Sequence, residues 1–362
     1  MNHFDVLIAG GGPAGCATAL SLRDVAPSLR VCVADAAEEK NGVLGETLPP
    51  QAAVFLRHLG LQAHFDRDGH AAAFRTQSAW GLPQLIANEF LYGVHQCGWR
   101  LDRRRFDAML KYETQQRGAT WRCDHVSGLV HDAGRWTVRF KTGDACTADF
   151  VIDATGRGAG LCRHLGVTPQ RLDRLIACVV NFPAADTPLD MTLEAFADGW
   201  WYATTLPGGE RVVACMSDND IVRHKRLSQI EPWLRAFRET EFLRDVIGDV
   251  APLGPPTLFA ANSHHQILPA ELPFLAVGDA VSSFDPLSSQ GVAKALRSGI
   301  FASYSAADFL LRGDSRGIER YRQFVADEFA AYRDTLRDYY QRERRWSERP
   351  FWQRRHLLAD AE

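Results

Sequence analysis

This chain has almost no charge imbalance: 41 Lys and Arg stand against 44 Asp and Glu, a formal net charge of -3. Without a basic field there is no general attraction for nucleic acid, and none is expected as a partner. Long apolar runs are missing too. None approaches the roughly 18 residues of a membrane span, so no membrane partner is expected. The opening, MNHFDVLIAGGG, has neither the charged n-region nor the small-residue cleavage site of a secretory leader, and a cytoplasmic location is the expectation. The cysteines (Cys16, Cys32, Cys97, Cys123, Cys146, Cys162, Cys178 and Cys215) include no CxxC pair and no nearby His-x-x-x-His. That argues against a disulfide framework and against zinc or any other metal. Repeats, low-complexity stretches, and Ser-His-Asp or paired-carboxylate signatures are also absent. What remains is 362 residues, 46% hydrophobic and 23% charged, an ordinary globular composition large enough for one big domain or two.

The first apolar run, Phe4 to Ala9, ends in glycines and suits a buried parallel strand. Ala14 to Leu22 then reads as a helix and Arg30 to Asp35 as a second strand, which together make one βαβ unit. Asp149–Asp153, ending in Ala154-Thr155-Gly156-Arg157, and Phe274–Val277, ending in Gly278-Asp279, read as further strands of the same kind. Between them, Leu175 to Ser217 alternates and is rich in aromatics, which suits antiparallel strands. Gly291 to about Tyr340 is helical with a break near Arg312-Gly313-Asp314, and the tail from Arg344 to Arg355 is rich in Arg and Trp. That tail reads as a docking surface or, at least as readily, as an internal brace across the nucleotide-binding unit. Nucleotide-type strands on both sides of a different sheet predict interleaved domains. We expect one unit from residues 1–70, 99–170 and 266–315, a second from 71–98 and 171–265, and a helical tail at 316–362.

Gly10-x-Gly12-x-x-Gly15, with Pro13 and Ala14, follows a strand and opens a helix. In that context Gly10 permits the tight turn, Gly12 lets backbone approach a pyrophosphate, and Gly15 allows close helix–strand packing. The helix N-terminus favours the phosphates. Asp35 ends the next strand, where a carboxylate can bind a ribose hydroxyl. A second signal separates the possible dinucleotides. Gly278-Asp279-Ala280 follows a strand, and Asp285-Pro286 leads to a helix beginning at Gly291. Asp279 could accept from ribityl hydroxyls, which only a flavin offers, and the helix entrance after Pro286 could face the flavin ring. FAD is the expected cofactor. No second glycine loop exists for a stably held nicotinamide, so electrons are expected either from NAD(P)H in passing or from a separate flavin reductase.

GGGPAG and GDA…DP together resemble FAD-dependent aromatic hydroxylases, flavin-dependent tryptophan halogenases and geranylgeranyl reductases. Gly45-Glu46-Thr47-Leu48-Pro49-Pro50, Trp99-Arg100-Leu101-Asp102-Arg103 with Phe106-Asp107, Gly199-Trp200-Trp201-Tyr202 with Leu206-Pro207, and the ending Tyr339 to Arg355 narrow the likeness. They are similar to the flavoprotein maturases that build tryptophan-derived quinones, such as cysteine tryptophylquinone, in partner proteins. The resemblance implies an α/β architecture like p-hydroxybenzoate hydroxylase: a glutathione-reductase-like FAD-binding domain, an inserted antiparallel-sheet substrate domain and C-terminal helices. It implies that Glu46 and Thr47 lie against the flavin, that Arg103 contacts the cofactor, and that Glu46 could orient substrate. Where the halogenases carry a lysine that relays hypochlorous acid, this chain aligns Arg75, a poor substitute for an amine, and the halogenase W-x-W-x-I-P signature is not intact.

The reading that follows is an FAD-dependent monooxygenase. Reduced FAD and O2 form a C4a-hydroperoxide whose electrophilic distal oxygen is attacked by an electron-rich aromatic ring, a tryptophan in a peptide or partner protein by analogy. Trp80, Trp200, Trp201 and Tyr202 are the candidate walls of the substrate site, with Arg75 and Glu46 as candidate catalytic groups. His264-His265 read as loop residues. The alternatives are a hydroxylase or halogenase of a small aromatic molecule, or a flavin-bearing maturation chaperone without turnover.

Overall fold

The computed structural model describes residues 1–36, 47–90, 97–184, 190–248 and 250–357. Two sheets dominate it. The first runs in the order Thr120–Arg122, Val31–Ala34, Asn2–Ala9, Ala145–Asp153, Arg135–Phe140 and Val126–Asp132, with Phe274–Ala276 also paired to Ala145–Asp153. The strands that continue the nucleotide-type pattern pair in parallel, Asn2–Ala9 with both Val31–Ala34 and Ala145–Asp153. They are covered on both faces, which is why Val6–Ala9 and Val31–Ala34 are uninterrupted apolar runs with almost no exposure. Arg135–Phe140 and Val126–Asp132 turn back antiparallel.

Helix Pro13–Val25 crosses helix Gly291–Arg312 at very short range. A Cβ on Gly299 would lie 2.5 Å from the Ala14 carbonyl oxygen, so only a glycine lets the two backbones come so close. The sequence break appears at Gly313, in the left-handed region with φ of 67°, which ends that helix before Arg316–Arg342 begins. No described helix is long and apolar enough to cross a membrane.

The second sheet is ordered Thr257–Ala260, Leu175–Phe182, Arg211–Asp218, Gly199–Thr205, Met191–Phe196, Arg75–Ala79 and Ile86–Glu89. It is antiparallel except where Met191–Phe196 runs parallel to Arg75–Ala79. Alternation along each strand separates two apolar faces. Trp200, Tyr202, Ala214 and Met216 share one face with Tyr340, Phe351 and Trp352 of the C-terminal segment. Trp201, Val213 and Cys215 share the other with Trp233 and Phe237, which stand on helix Ile230–Arg238.

The Arg/Trp-rich ending is an internal brace, but it packs on the second sheet rather than across the nucleotide-binding unit, because its apolar residues cover the Trp200 face. Helix Pro350–Leu357 lies on the second sheet. Trp352 Nε1 donates to Phe196 O at 2.9 Å and Trp80 Nε1 to Tyr339 O at 2.8 Å. Arg355 and Asp218, 3% and 1% exposed, pair at 2.9 Å, and Arg349 reaches Asp198 at 2.7 Å. The Arg355 guanidinium also covers the Phe351 ring at 3.4 Å.

Candidate functional site

A cleft of about 660 Å3 runs from the glycine turn to the aromatic face of the second sheet. At its first end the geometry follows from the glycines. Gly10 has φ of 109°, and a Cβ there would sit 2.2 Å from Ala154 O; one on Gly15 would sit 2.0 Å from Gly10 O. Gly15 therefore lies beneath the cleft and packs the turn onto its helix. Gly12 differs, because a Cβ there would meet nothing within 4 Å. It opens onto the cleft and N-caps helix Pro13–Val25 with no side-chain partner. Pro13 has no N–H, so the uncapped donors of this first turn begin at Ala14, beside the space that Gly12 leaves open for an anion.

The acidic turn meets the glycine turn directly. A Cβ on Gly278 would fall 2.8 Å from Ala14 Cβ, so the two motifs, distant in sequence, touch. Asp35, Thr47, Arg103 and Asp279 all line the cleft. Thr47 Oγ1 is buried with no hydrogen-bond partner among the described residues, an atom that calls for a ligand. Arg103 Nη2 reaches Asp107 at 3.1 Å. Asp279 is held by Lys294 at 2.9 Å and Arg157 at 3.4 Å. Burial pushes its carboxyl up, but those two cations outweigh it and hold the group below the usual range. An ionised carboxylate held in this way keeps lone pairs for a hydroxyl. Pro286 and Gly291 line the same cleft, and Gln290, which N-caps helix Gly291–Arg312, has no side-chain bond to it. A second uncapped helix end thus faces the cleft. Uncapped donors, an orphaned hydroxyl, and the carboxylates of Asp35 and the cation-held Asp279 fit a dinucleotide with ribose and ribityl hydroxyls, and these residues could hold FAD.

The far end of the cleft is apolar. Trp200 and Tyr202 form its wall with Met191, Leu193, Met216 and Phe259. Trp201, expected in this wall from its neighbours, is not part of it: the period-2 alternation turns it to the opposite face, against Trp233 at 5.0 Å between centroids. Trp80 is not a lining residue either; it stands behind Trp200 at 6.4 Å and packs on Trp352 at 5.4 Å. Arg75 lies outside the lining, bonded to Asp190 at 2.7 Å and near Glu89 at 3.7 Å. Glu46 lies outside the described residues. His264 and His265 form a short strand between Gln170–Arg171 and Ser282–Ser283. Ser283 Oγ meets His264 Nδ1 at 2.7 Å, and burial, then Arg157, push this imidazole down to about 4. It stays neutral near pH 7 and carries no proton to donate as a cation.

Arg157, which follows the strand ending at Asp153, binds Asp279 and donates to Asn262 O at 2.7 Å and Phe284 O at 2.9 Å, a role the sequence reading missed. Its place at the carboxyl edge of a parallel strand, where open α/β sheets bind ligands, was the available signal. No comparable signal marked Met191, Met216 or Phe259.

Donors suited to phosphate lie at one end of the cleft and an apolar aromatic wall at the other, and the chain is an FAD-dependent oxidoreductase. It belongs to the tryptophan halogenase family, whose sequence signature matches residues 82–361. It is 30% identical over 370 residues to the FAD-dependent oxidoreductase LodB of Marinomonas mediterranea, spanning 99% of this chain and 98% of LodB. The fold is similar to that of CmlS, a flavin-dependent halogenase, with a TM-score of 0.86, 24% identity, and coverage of 98% of this chain and 68% of CmlS. It is also similar to QhpG, a peptidyl tryptophan dihydroxylase essential for tryptophylquinone cofactor biogenesis. That match has a TM-score of 0.79, 26% identity, and coverage of 98% and 78%.

Proposed function

We propose that this protein is a monooxygenase that hydroxylates an aromatic ring, the indole of a tryptophan presented by a peptide or partner protein. Its FAD-binding unit would take residues 1–70, 99–170 and 266–315, its substrate unit 71–98 and 171–265, and the tail 316–362 would brace the two. The observation that carries the reading is the composition of the far half of the cleft. Trp200, Tyr202, Leu193 and Met216 make a wall suited to a flat apolar ring, and no lysine lines the cleft among the described residues. A halogenating relay needs an amine there. The likeness to QhpG supports a peptide-borne ring.

In this reading FAD, reduced by NAD(P)H or by a flavin reductase, supplies electrophilic oxygen from O2 when bound. Overall, one oxygen atom of O2 is inserted into a ring C–H bond as a hydroxyl, and the other leaves as water at the expense of two electrons and two protons. The chain's own work is to bind and orient. The N–H groups after Gly12 take the pyrophosphate, Asp35 a ribose hydroxyl, and Thr47, Arg103 and Asp279 the remaining polar groups. The aromatic wall holds the ring close and excludes water.

The test is mass spectrometry of a tryptophan-bearing peptide incubated with the FAD-loaded protein, NADH, a flavin reductase, chloride and O2. A mass gain of one or two oxygen atoms on the tryptophan is expected; chlorine in place of hydrogen would overturn the reading, and so would a peptide left unaltered. In the same assay Arg75→Lys is expected to give no chlorinated product. The side chain at this position points to Asp190, outside the cleft lining, and changing its charge carrier does not move it. Chlorinated peptide from that variant would show that the position does feed the site.

A further inference from the structure

One buried contact joins the two halves of the cleft, and the roles assigned above do not use it. Trp200 Nε1 donates to Tyr340 Oη at 3.1 Å, and Tyr340 Oη donates to Asp285 Oδ2 at 2.7 Å. Direction is fixed by chemistry, because an indole N–H can only donate. The hydroxyl therefore accepts from tryptophan and must give its own proton to the carboxylate. Tyr340 lies near the end of helix Arg316–Arg342, while Trp200 and Asp285 both line the cleft, one in its aromatic half and the other at the turn leading to Pro286. The other carboxylate oxygen, Oδ1, accepts from Leu287 N at 2.9 Å and so shapes the turn itself. All three residues are almost fully buried.

We propose that Tyr340 is a positioning residue for the reaction: its hydroxyl couples the Trp200 wall to the Asp285-Pro286 turn, so that the ring-holding and cofactor-facing halves of the cleft keep one relative geometry. The inference rests on the reading of this cleft as an FAD and aromatic-ring site. It goes further by making the C-terminal brace part of the site's alignment.

The coupling depends on the charge of Asp285. Burial, then the Asp173 carboxylate, push its carboxyl up to about 6, opposed by Leu287 N–H, Tyr340 and Arg355. Arg355 approaches from helix Pro350–Leu357, with its guanidinium 5.0 Å from the Tyr340 ring centre. Tyr332, also on helix Arg316–Arg342, accepts from Asp285 N at 2.7 Å. Above the midpoint, Tyr340 gives a charge-assisted bond; below it, Asp285 is neutral and the bond weakens.

The probe is 3-methylindole, added to FAD-loaded protein and followed by its perturbation of the flavin absorbance between pH 5 and 8. Wild type is expected to bind the indole more weakly at low pH, with a midpoint near 6. Tyr340→Phe should weaken indole binding about five- to tenfold while FAD affinity stays within twofold. With no hydroxyl left to link Asp285 to Trp200, this variant should also bind the indole with little dependence on pH. Asp285→Asn, which keeps an acceptor but cannot titrate, should abolish the pH dependence and keeps the test decisive should Tyr340→Phe fold poorly. Unchanged indole affinity in Tyr340→Phe, or a wild-type pH profile in Asp285→Asn, overturns the inference alone. A wild-type protein that takes up no FAD overturns the underlying reading and the inference with it.

Discussion

Gly12→Asp is expected to yield a protein as stable as the wild type, or slightly more so, that takes up no FAD. The backbone at Gly12 has φ of -75° and ψ of -175°, open to any residue, and a Cβ there meets nothing within 4 Å. Aspartate is also a good N-cap for the helix that begins at Pro13. With the favourable charge at the helix end, the gain is about 0.5–1 kcal/mol. The same carboxylate would take the N–H groups that phosphate needs and place a negative charge beside the pyrophosphate. Two like charges at about 4 Å repel by about 4 kcal/mol at an effective dielectric near 20, so affinity should fall by at least about a hundredfold. Flavin absorbance after reconstitution gives the uptake, and a thermal melt gives the stability. Gly15→Ala is the contrasting control. Its Cβ would meet Gly10 O at 2.0 Å, so binding and fold should suffer together. If Gly12→Asp loads FAD normally, the phosphates are not held at this helix end.

The largest stability effect is expected at Asp218, in the brace. Asp218 accepts from Arg355 at 2.9 Å and from Arg354 at 2.7 Å. Asp218→Ala leaves the buried Arg355 guanidinium without its carboxylate, and removing one partner of a buried pair costs about 3–5 kcal/mol. Arg355→Met should cost less. Asp218 then keeps Arg354, and the methionine replaces part of the apolar contact with Phe351 and Tyr340. The double variant Asp218→Leu/Arg355→Met should recover most of the loss, since it removes both charges and refills the volume, while Arg354 retains Asp220 at 2.6 Å. Denaturant midpoints for the four proteins close the cycle. Equal losses in both single variants, with no recovery in the double, would mean that packing rather than charge holds the brace.

The cofactor half of the cleft was legible because its chemistry is local. Gly10, Gly12, Gly15 and Asp35 lie within one βαβ unit, and the spacing that allows a turn to bind phosphate is written in consecutive residues. The contact of Gly278 with Ala14 followed from two such motifs each ending a parallel strand. The substrate half was legible as composition but not as direction. Gly199-Trp200-Trp201-Tyr202 announced an aromatic strand, but which of its rings faced the cleft depended on what covered each face. Trp233 and Phe237 covered one, and Phe351 and Trp352 the other. Both coverings come from segments far along the chain. Asp218 with Arg355, and Asp285 with Tyr340, were equally hidden, because no periodicity in a sequence marks which of its 44 acids and 41 bases will meet in the interior.

The packing of Phe351 and Trp352 against Trp200 and Tyr202 has a consequence for biosynthesis. When the strands of the second sheet leave the ribosome, the residues that shield this aromatic face have yet to be translated. Until helix Pro350–Leu357 emerges and docks, Trp200 faces water, and the nascent chain presents a sticky surface to chaperones and to its own copies. A ribosome stalled late in the message would therefore leave a chain whose nucleotide half is nearly finished but whose aromatic half is still exposed.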